Sequence, residues 1–174
     1  MRFIFSLLES WLAFCATRVV RRERPCIVAI TGSVGKSSTK NAVGIMLGAG
    51  EPGSRVRVSE KNYNNELGVP LSILGLRPPG RSPARWIVLI ALSIGYAVGW
   101  KKTGMEVMVL EMGADKPGDL AKLVAIAPPT ISVITAVTPE DDGMAPVHAA
   151  HYPSVEAVAL EKATLVKATI PEGT

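Results

Sequence analysis

The stretch Cys26-Ile27-Val28-Ala29, running into Ile30-Thr31-Gly32-Ser33-Val34-Gly35-Lys36-Ser37-Ser38-Thr39-Lys40, constrains this chain more than any other. An apolar, β-branched run that breaks at glycine and restarts in helix-compatible residues reads as a strand, a tight loop and a helix. In a loop of this kind the backbone of Thr31, Gly32, Ser33, Val34, Gly35 and Ser38 turns N–H groups onto phosphate oxygens. Lys36 brings a mobile positive charge to the outer phosphates, and the Ser37 hydroxyl is placed to ligate magnesium. The expected ligand is a nucleoside triphosphate with Mg2+. The full Walker spacing would put its first glycine at position 30, where this chain carries Ile30.

The 174 residues suffice for one ordinary domain with a real core. Hydrophobic residues at 48% and charged ones at 20% exclude a disordered or solvating chain. The formal net charge of +4 comes largely from local clusters such as Arg18, Arg21, Arg22 and Arg24. No aromatic residues interleave with that cluster to stack bases, so nucleic acid is not an expected partner. Cys15 and Cys26 lack metal-ligand spacing and form no disulfide framework. They read as small buried residues of a protein in a reducing, cytoplasmic setting.

Two apolar stretches raise the question of a membrane. Phe3 to Val20 follows Arg2 and precedes the basic cluster, but Glu9 sits in its middle and no small-residue cleavage site follows. An amphipathic helix that packs on the domain or lies on the inner membrane face fits it better than a span. Residues 1–25 are therefore expected to form that helix and a basic linker, with the nucleotide domain over 26–174. Trp86 to Trp100, flanked by Arg85, Lys101 and Lys102, is too short for a hydrocarbon core of about 30 Å. It reads as a buried or interfacial helix, which leaves peripheral membrane contact open.

Helical spacing continues from Ser37 to Leu47 and stops at Gly48 and Gly50. Arg55 to Val58 alternates as a short strand, and the polar turn Asn62 to Asn65 leads through Gly68-Val69-Pro70 to a helix over Leu71 to Leu76. Glu106 to Leu110 and Ile131 to Ala136 read as buried strands, the first ending at the acid Glu111. Pro117 to Ala127 and Ser154 to Ala168 read as helices, with Pro in the first turn of one and a Ser cap on the other. Strands alternating with helices predict an α/β fold, a mostly parallel sheet with helices on both faces. Its phosphate loop, its Glu111 turn and the loop after Ala136 would share the rim at the carboxyl ends of the strands.

Four segments in fixed order carry a resemblance: TGSVGKSSTK, Asn62-Tyr63-Asn64-Asn65-Glu66-Leu67-Gly68-Val69-Pro70, Val109-Leu110-Glu111-Met112-Gly113, and His148 followed by Ser154 to Lys162. Together they resemble the central ATP-binding domain of the Mur ligase family, most nearly the MurF type. The resemblance implies an ATP-dependent carboxylate–amine ligase in peptidoglycan precursor synthesis. Its substrates would be a UDP-muramoyl peptide and an amino acid or dipeptide. It implies magnesium at Ser37, Glu111, His148 and Lys162, with Lys162 carbamylated and Lys36 and His148 beside it in catalysis. Asn64 and Asn65 would face the nucleotide, whereas His151 reads as a surface residue. Asp115, Asp119, Asp141 and Asp142 read as loop or cap acids. Related ligases that make folylpolyglutamate, cyanophycin or poly-γ-glutamate remain alternatives, as does a nucleotide-binding module without catalysis of its own. The substrate domains that flank such an ATP domain do not fit within 174 residues, so the expectation is a fragment or a partner chain.

Overall fold

The computed structural model describes residues 2–60, 63–80, 82–137 and 152–169. In chain order the elements are α1 (Arg2–Glu23), β1 (Cys26–Thr31), α2 (Lys36–Met46), β2 (Val56–Val58), α3 (Gly68–Leu74), α4 (Pro83–Val98), β3 (Val107–Glu111), α5 (Asp119–Ile126), β4 (Ile131–Ile134) and α6 (Val155–Lys167). The four strands form one parallel sheet in the order β2-β3-β1-β4. The α/β architecture expected from the alternation of strands and helices is present.

Strand alternation divides the core into two layers. Ile27 and Ala29 of β1 and Met108 and Leu110 of β3 face one side, where they meet Leu12, Cys15, Ala16 and Val19 of α1, Ile73 and Leu74 of α3, Leu120 and Leu123 of α5 and Leu165 of α6. Val28, Ile30 and Val109 face the other side, against Val43 of α2. That second side is thinly covered because α2 lies very close to the sheet: a Cβ at Gly44 would come within 2.5 Å of Val58 Cγ2. The same period-two rule puts Glu111, paired with Ile30 in the register, on the α2 side.

Several element ends differ from the sequence expectation by one to three residues, and for three of them a specific hydrogen bond gives the reason. The third helix begins at Gly68 rather than Leu71, because Asn65 Oδ1 accepts hydrogen bonds from the Leu67 and Gly68 N–H groups and starts the turn early. Pro70 is tolerated there since first-turn N–H groups have no helical partner. The helix expected from Pro117 begins at Asp119: Gly118 adopts φ 87°, outside the helical region, and Glu161 accepts from the Gly118 and Leu120 N–H groups at 2.9 Å each. β4 ends at Ile134, two residues early, because the Thr135 hydroxyl turns to donate to the Val34 carbonyl at 2.6 Å.

The first helix is joined to the domain by its core side chains, with Leu12, Cys15, Ala16 and Val19 fully buried. Leu12→Ala should therefore destabilise the whole fold by about 2–5 kcal/mol, seen as a lower urea midpoint with an unchanged slope. A midpoint equal to that of the parent would show that the helix is dispensable to the core.

Candidate phosphate-binding site

β1 delivers the chain to its carboxyl end, where Gly32 at φ 151° and Gly35 at φ 83° bend the loop before α2 starts at Lys36. A Cβ on Gly32 would lie 1.9 Å from Thr135 Oγ1, so only glycine fits beneath the β4 exit. Ser33 N–H donates to the Ala136 carbonyl at 2.8 Å, and Thr135 Oγ1 donates to Val34 O. The loop is thus clamped from the β4 side. Lys36 Nζ folds back to donate to the Gly32 and Ser33 carbonyls at 2.8 and 3.2 Å. Burial lowers its pKa below the usual lysine value, opposed by the charges of Glu111 and Asp115.

Glu111 closes the other wall. Although only 4% exposed, its carboxylate accepts from Ser37 Oγ at 2.8 Å and Asn64 Nδ2 at 3.2 Å, and it pairs with Lys40 Nζ at 3.6 Å. Its own N–H donates to Ser59 Oγ at 3.1 Å. The asparagine loop is fastened to the same turn, since Gly113 N–H donates to Asn64 O at 2.7 Å. A Cβ at Gly113 would sit 3.2 Å from that oxygen, which makes glycine the residue that permits this approach. Between the walls lies a cavity of about 300 Å³ reached by Gly35, Lys36, Ser37, Ser38, Asn64 and Glu111. That volume is at the lower end of small-molecule sites, and its lining is polar and convergent.

The fold thus brings together Lys36, Ser37, Ser38, Asn64 and Glu111. Thr31 is the buried last residue of β1 beneath the loop, and Gly32, Ser33 and Val34 form the loop's bend. Asn65 turns its side-chain oxygen away to the start of α3. Asp115, read from the sequence as a loop acid, also lines the cavity. His148, His151, Asp141 and Asp142 lie outside the described residues, and among the described residues no three His, Cys, Asp or Glu side chains converge.

Lys162 is not a solvated helix lysine: α6 buries it to 2% exposure. Desolvation, reinforced by the charge of Lys36 and opposed by Glu161, lowers its pKa to about 8. Sequence reasoning missed four residues that shape the site. Lys40 closes the TGSVGKSSTK run without a role read for it there, yet it is the buried cation at Glu111. Ser59, Thr135 and Glu161 act on backbone groups distant in sequence, which leaves no local signal.

Two outcomes follow from these burials. Lys40→Met leaves the Glu111 carboxylate without its cation and should cost about 3 kcal/mol in urea unfolding, partly recovered in the double variant Lys40→Met/Glu111→Gln; equal losses in the single and double variants would dissolve the pairing. For Lys162, the unfolded chain holds a proton that the folded chain releases between about pH 8 and about pH 10.4. Stability from this group therefore rises with pH across that window and its penalty is fully present below it. The difference in unfolding free energy between the parent and Lys162→Met should shift in the parent's favour over the same window, and a pH-independent difference would contradict the lowered pKa.

No family model matches the chain. It is 35% identical over 147 residues to the UDP-N-acetylmuramoyl-tripeptide–D-alanyl-D-alanine ligase of Mycobacterium leprae, a match over 84% of this chain and 22% of that protein. The ligase of the same name from Synechocystis is 32% identical over 111 residues, 64% of this chain and 18% of the relative. The chain thus spans about a fifth of the length of the curated relatives it matches. Among solved structures, MurF from Thermotoga maritima in complex with ADP superposes with a TM-score of 0.63 at 27% identity, over 92% of this chain and 30% of that one. MurF from Acinetobacter baumannii gives a TM-score of 0.65 at 22% identity, over 93% and 28% of the two chains. In sequence and in fold the chain is Mur ligase-like and, within that family, MurF-like.

Proposed function

We propose that this chain supplies the ATP-binding unit of a carboxylate–amine ligase of the MurF type, acting on a UDP-muramoyl peptide and D-alanyl-D-alanine in peptidoglycan precursor synthesis. The observation that carries the reading is the contact of Ser37 Oγ with Glu111 Oε2 at 2.8 Å on the wall of the cavity that also holds Lys36. Two hard oxygen donors at the end of a phosphate loop suit Mg2+, which takes one or two protein oxygens and completes its shell with water and phosphate. Ser37 and Glu111 would hold that ion, which when bound neutralises charge on the phosphate oxygens. The named relatives are UDP-N-acetylmuramoyl-tripeptide–D-alanyl-D-alanine ligases, and one MurF neighbour was solved with ADP, which supports the same nucleotide here. ATP and a UDP-linked precursor place the reaction in the cytoplasm.

In this reading the substrate carboxylate attacks the γ-phosphorus of ATP, the bond to the bridging oxygen breaks, and ADP leaves. The amine lone pair then attacks the acyl phosphate carbon, inorganic phosphate departs, and the amine loses a proton. Neither step needs an enzyme nucleophile, so the chain's task is placement and charge compensation. Lys36 leaves the Gly32 and Ser33 carbonyls for the outer phosphates, the loop N–H groups from Val34 to Ser38 cradle them while the Ser33 N–H stays on the Ala136 carbonyl, and Asn64 orients Glu111 with an uncharged amide. Asn65 contributes by fixing the asparagine loop through the start of α3. Lys162 is proposed as the carbamylated lysine. Its depressed pKa increases the fraction of free amine, whose lone pair attacks the carbon of CO2 to give a carbamate and release a proton. His148 is proposed to complete the metal neighbourhood.

Isothermal titration calorimetry tests the core of this reading. The parent should bind Mg·ATP, and Lys36→Ala should lower the affinity by at least about tenfold, the loss of a charge-assisted contact. Parent-like affinity in the variant would overturn the assignment.

A further inference from the structure

The fourth helix carries its apolar residues on the wrong side for a soluble domain. Leu89, Ser93 and Ala97 face inward, with Ser93 Oγ accepting from Trp11 Nε1 of α1 at 2.9 Å. The outward line Ile87, Ala91, Ile94 and Val98 is apolar at every position of a continuous helical stripe, and Ile87 is 69% exposed. Trp100, just past the helix end, is 85% exposed. α1 adds Phe5, Leu7 and Phe14 to the same surface, and an apolar cavity of about 380 Å³ opens between the helices at Phe5, Leu8, Trp11, Trp86 and Ile90. Contiguous exposed apolar surface of this kind marks an interaction site.

Charge decides what it meets. The exposed cations Arg85, Lys101 and Lys102 flank the α4 stripe at its two ends, and exposed Arg18 and Arg21 continue along α1. The Arg18 guanidinium lies 5.9 Å from the centroid of the Phe14 ring, which ties it to the apolar patch. α4 holds no acid, and of the two acids of α1 Glu9 is half-buried and Glu23 is occupied by the Thr103 N–H and hydroxyl. No described helix is long and apolar enough to cross a membrane, and α4 at 16 residues is about 24 Å long. An apolar face with a tryptophan at its edge and a cationic rim, too short to span, matches a surface that lies in the headgroup boundary.

We propose that the α1–α4 face is a peripheral docking surface for an anionic lipid bilayer, with α4 lying flat in the interface, the basic rim on the headgroups and the apolar cavity open to an acyl chain. This does not depend on the nucleotide reading, because the face lies on the side of the sheet opposite α2.

The test is co-sedimentation of the full chain with vesicles of phosphatidylcholine containing one quarter phosphatidylglycerol, against vesicles of phosphatidylcholine alone. Anionic vesicles should bind at least about tenfold more tightly, with a blue shift of tryptophan emission as Trp100 leaves water. Ile87→Ser/Ile94→Ser, which removes apolar surface without adding charge at exposed positions, should weaken that binding at least about tenfold. Lys101→Glu/Lys102→Glu should abolish the preference for anionic lipid, and unchanged circular dichroism melting in both variants shows that the fold is intact. Three results would overturn the proposal: no binding to anionic vesicles, binding unchanged in the serine variant, or self-association in sedimentation velocity that the serine variant dissolves while vesicles capture nothing.

Discussion

The buried carboxylate of Glu111 is the point on which the site depends. A carboxylate withdrawn from water must find donors or be neutralised, and at 4% exposure Glu111 finds them on two separate pieces of chain, while its backbone N–H fastens to a third. Ser37 and Lys40 come from α2, Asn64 from the asparagine loop, and the Ser59 hydroxyl receives its N–H from the end of β2. Each donor fixes the position of the element that carries it. α2 must place its Lys36-Lys40-Gly44 side on the sheet for Lys40 to reach, and Gly44 lets it lie close enough against Val58. The carboxylate therefore organises phosphate loop, asparagine loop and sheet edge into a single wall before any ligand arrives, and preorganised charge of that kind is what phosphoryl chemistry uses.

What the sequence reveals of this arrangement divides by the range of the signal. The phosphate loop and Glu111 are legible because each is a local pattern: a glycine-lysine-serine run after an apolar strand, and an acid where such a strand stops. Lys40 is invisible by comparison, since a lysine on a helix is ordinarily solvated and only the period-two placement of Glu111 on the α2 face turns it inward. Thr135 and Glu161 are hidden for a related reason, as their partners are backbone groups about a hundred and about forty residues away in the chain. The same long-range contacts account for the displaced element ends. Propensity gives Pro117 a place in a helix, but the carboxylate of Glu161 captures the Gly118 and Leu120 N–H groups and moves the start to Asp119.

The two helices that read ambiguously in sequence are ambiguous because their composition answers two demands. α1 uses Leu12, Cys15, Ala16 and Val19 for the core and turns Phe5, Leu7, Phe14 and Arg18 outward, so neither face is plainly polar. α4 is apolar nearly all round, which periodicity alone assigns equally to a buried helix and to one facing lipid. The structure resolves the inner half: Ser93 and Ala97 are small buried residues, Ser93 meeting Trp11 of α1, with the Arg22 guanidinium donating to the Tyr96 and Ala97 carbonyls at the end of α4. Packing does not call for the outer half, so its composition needs an explanation beyond stability.

Lys36 shows how the loop is poised. Its ammonium occupies two neutral carbonyl acceptors, Gly32 O and Ser33 O, on the loop that it serves. Those bonds keep a half-buried cation satisfied without drawing it into the Glu111 cluster, where Lys40 already provides the positive charge. An arriving phosphate offers charged oxygens, and charge-assisted bonds are roughly twice as strong as those to neutral acceptors. The exchange needs only rotation about the lysine stem, because the loop itself is held by Thr135 on Val34 O and by Ser33 N–H on Ala136 O. A rigid loop with a mobile cation binds an anion with little reorganisation, and the clamp from β4 is what separates the moving part from the fixed one.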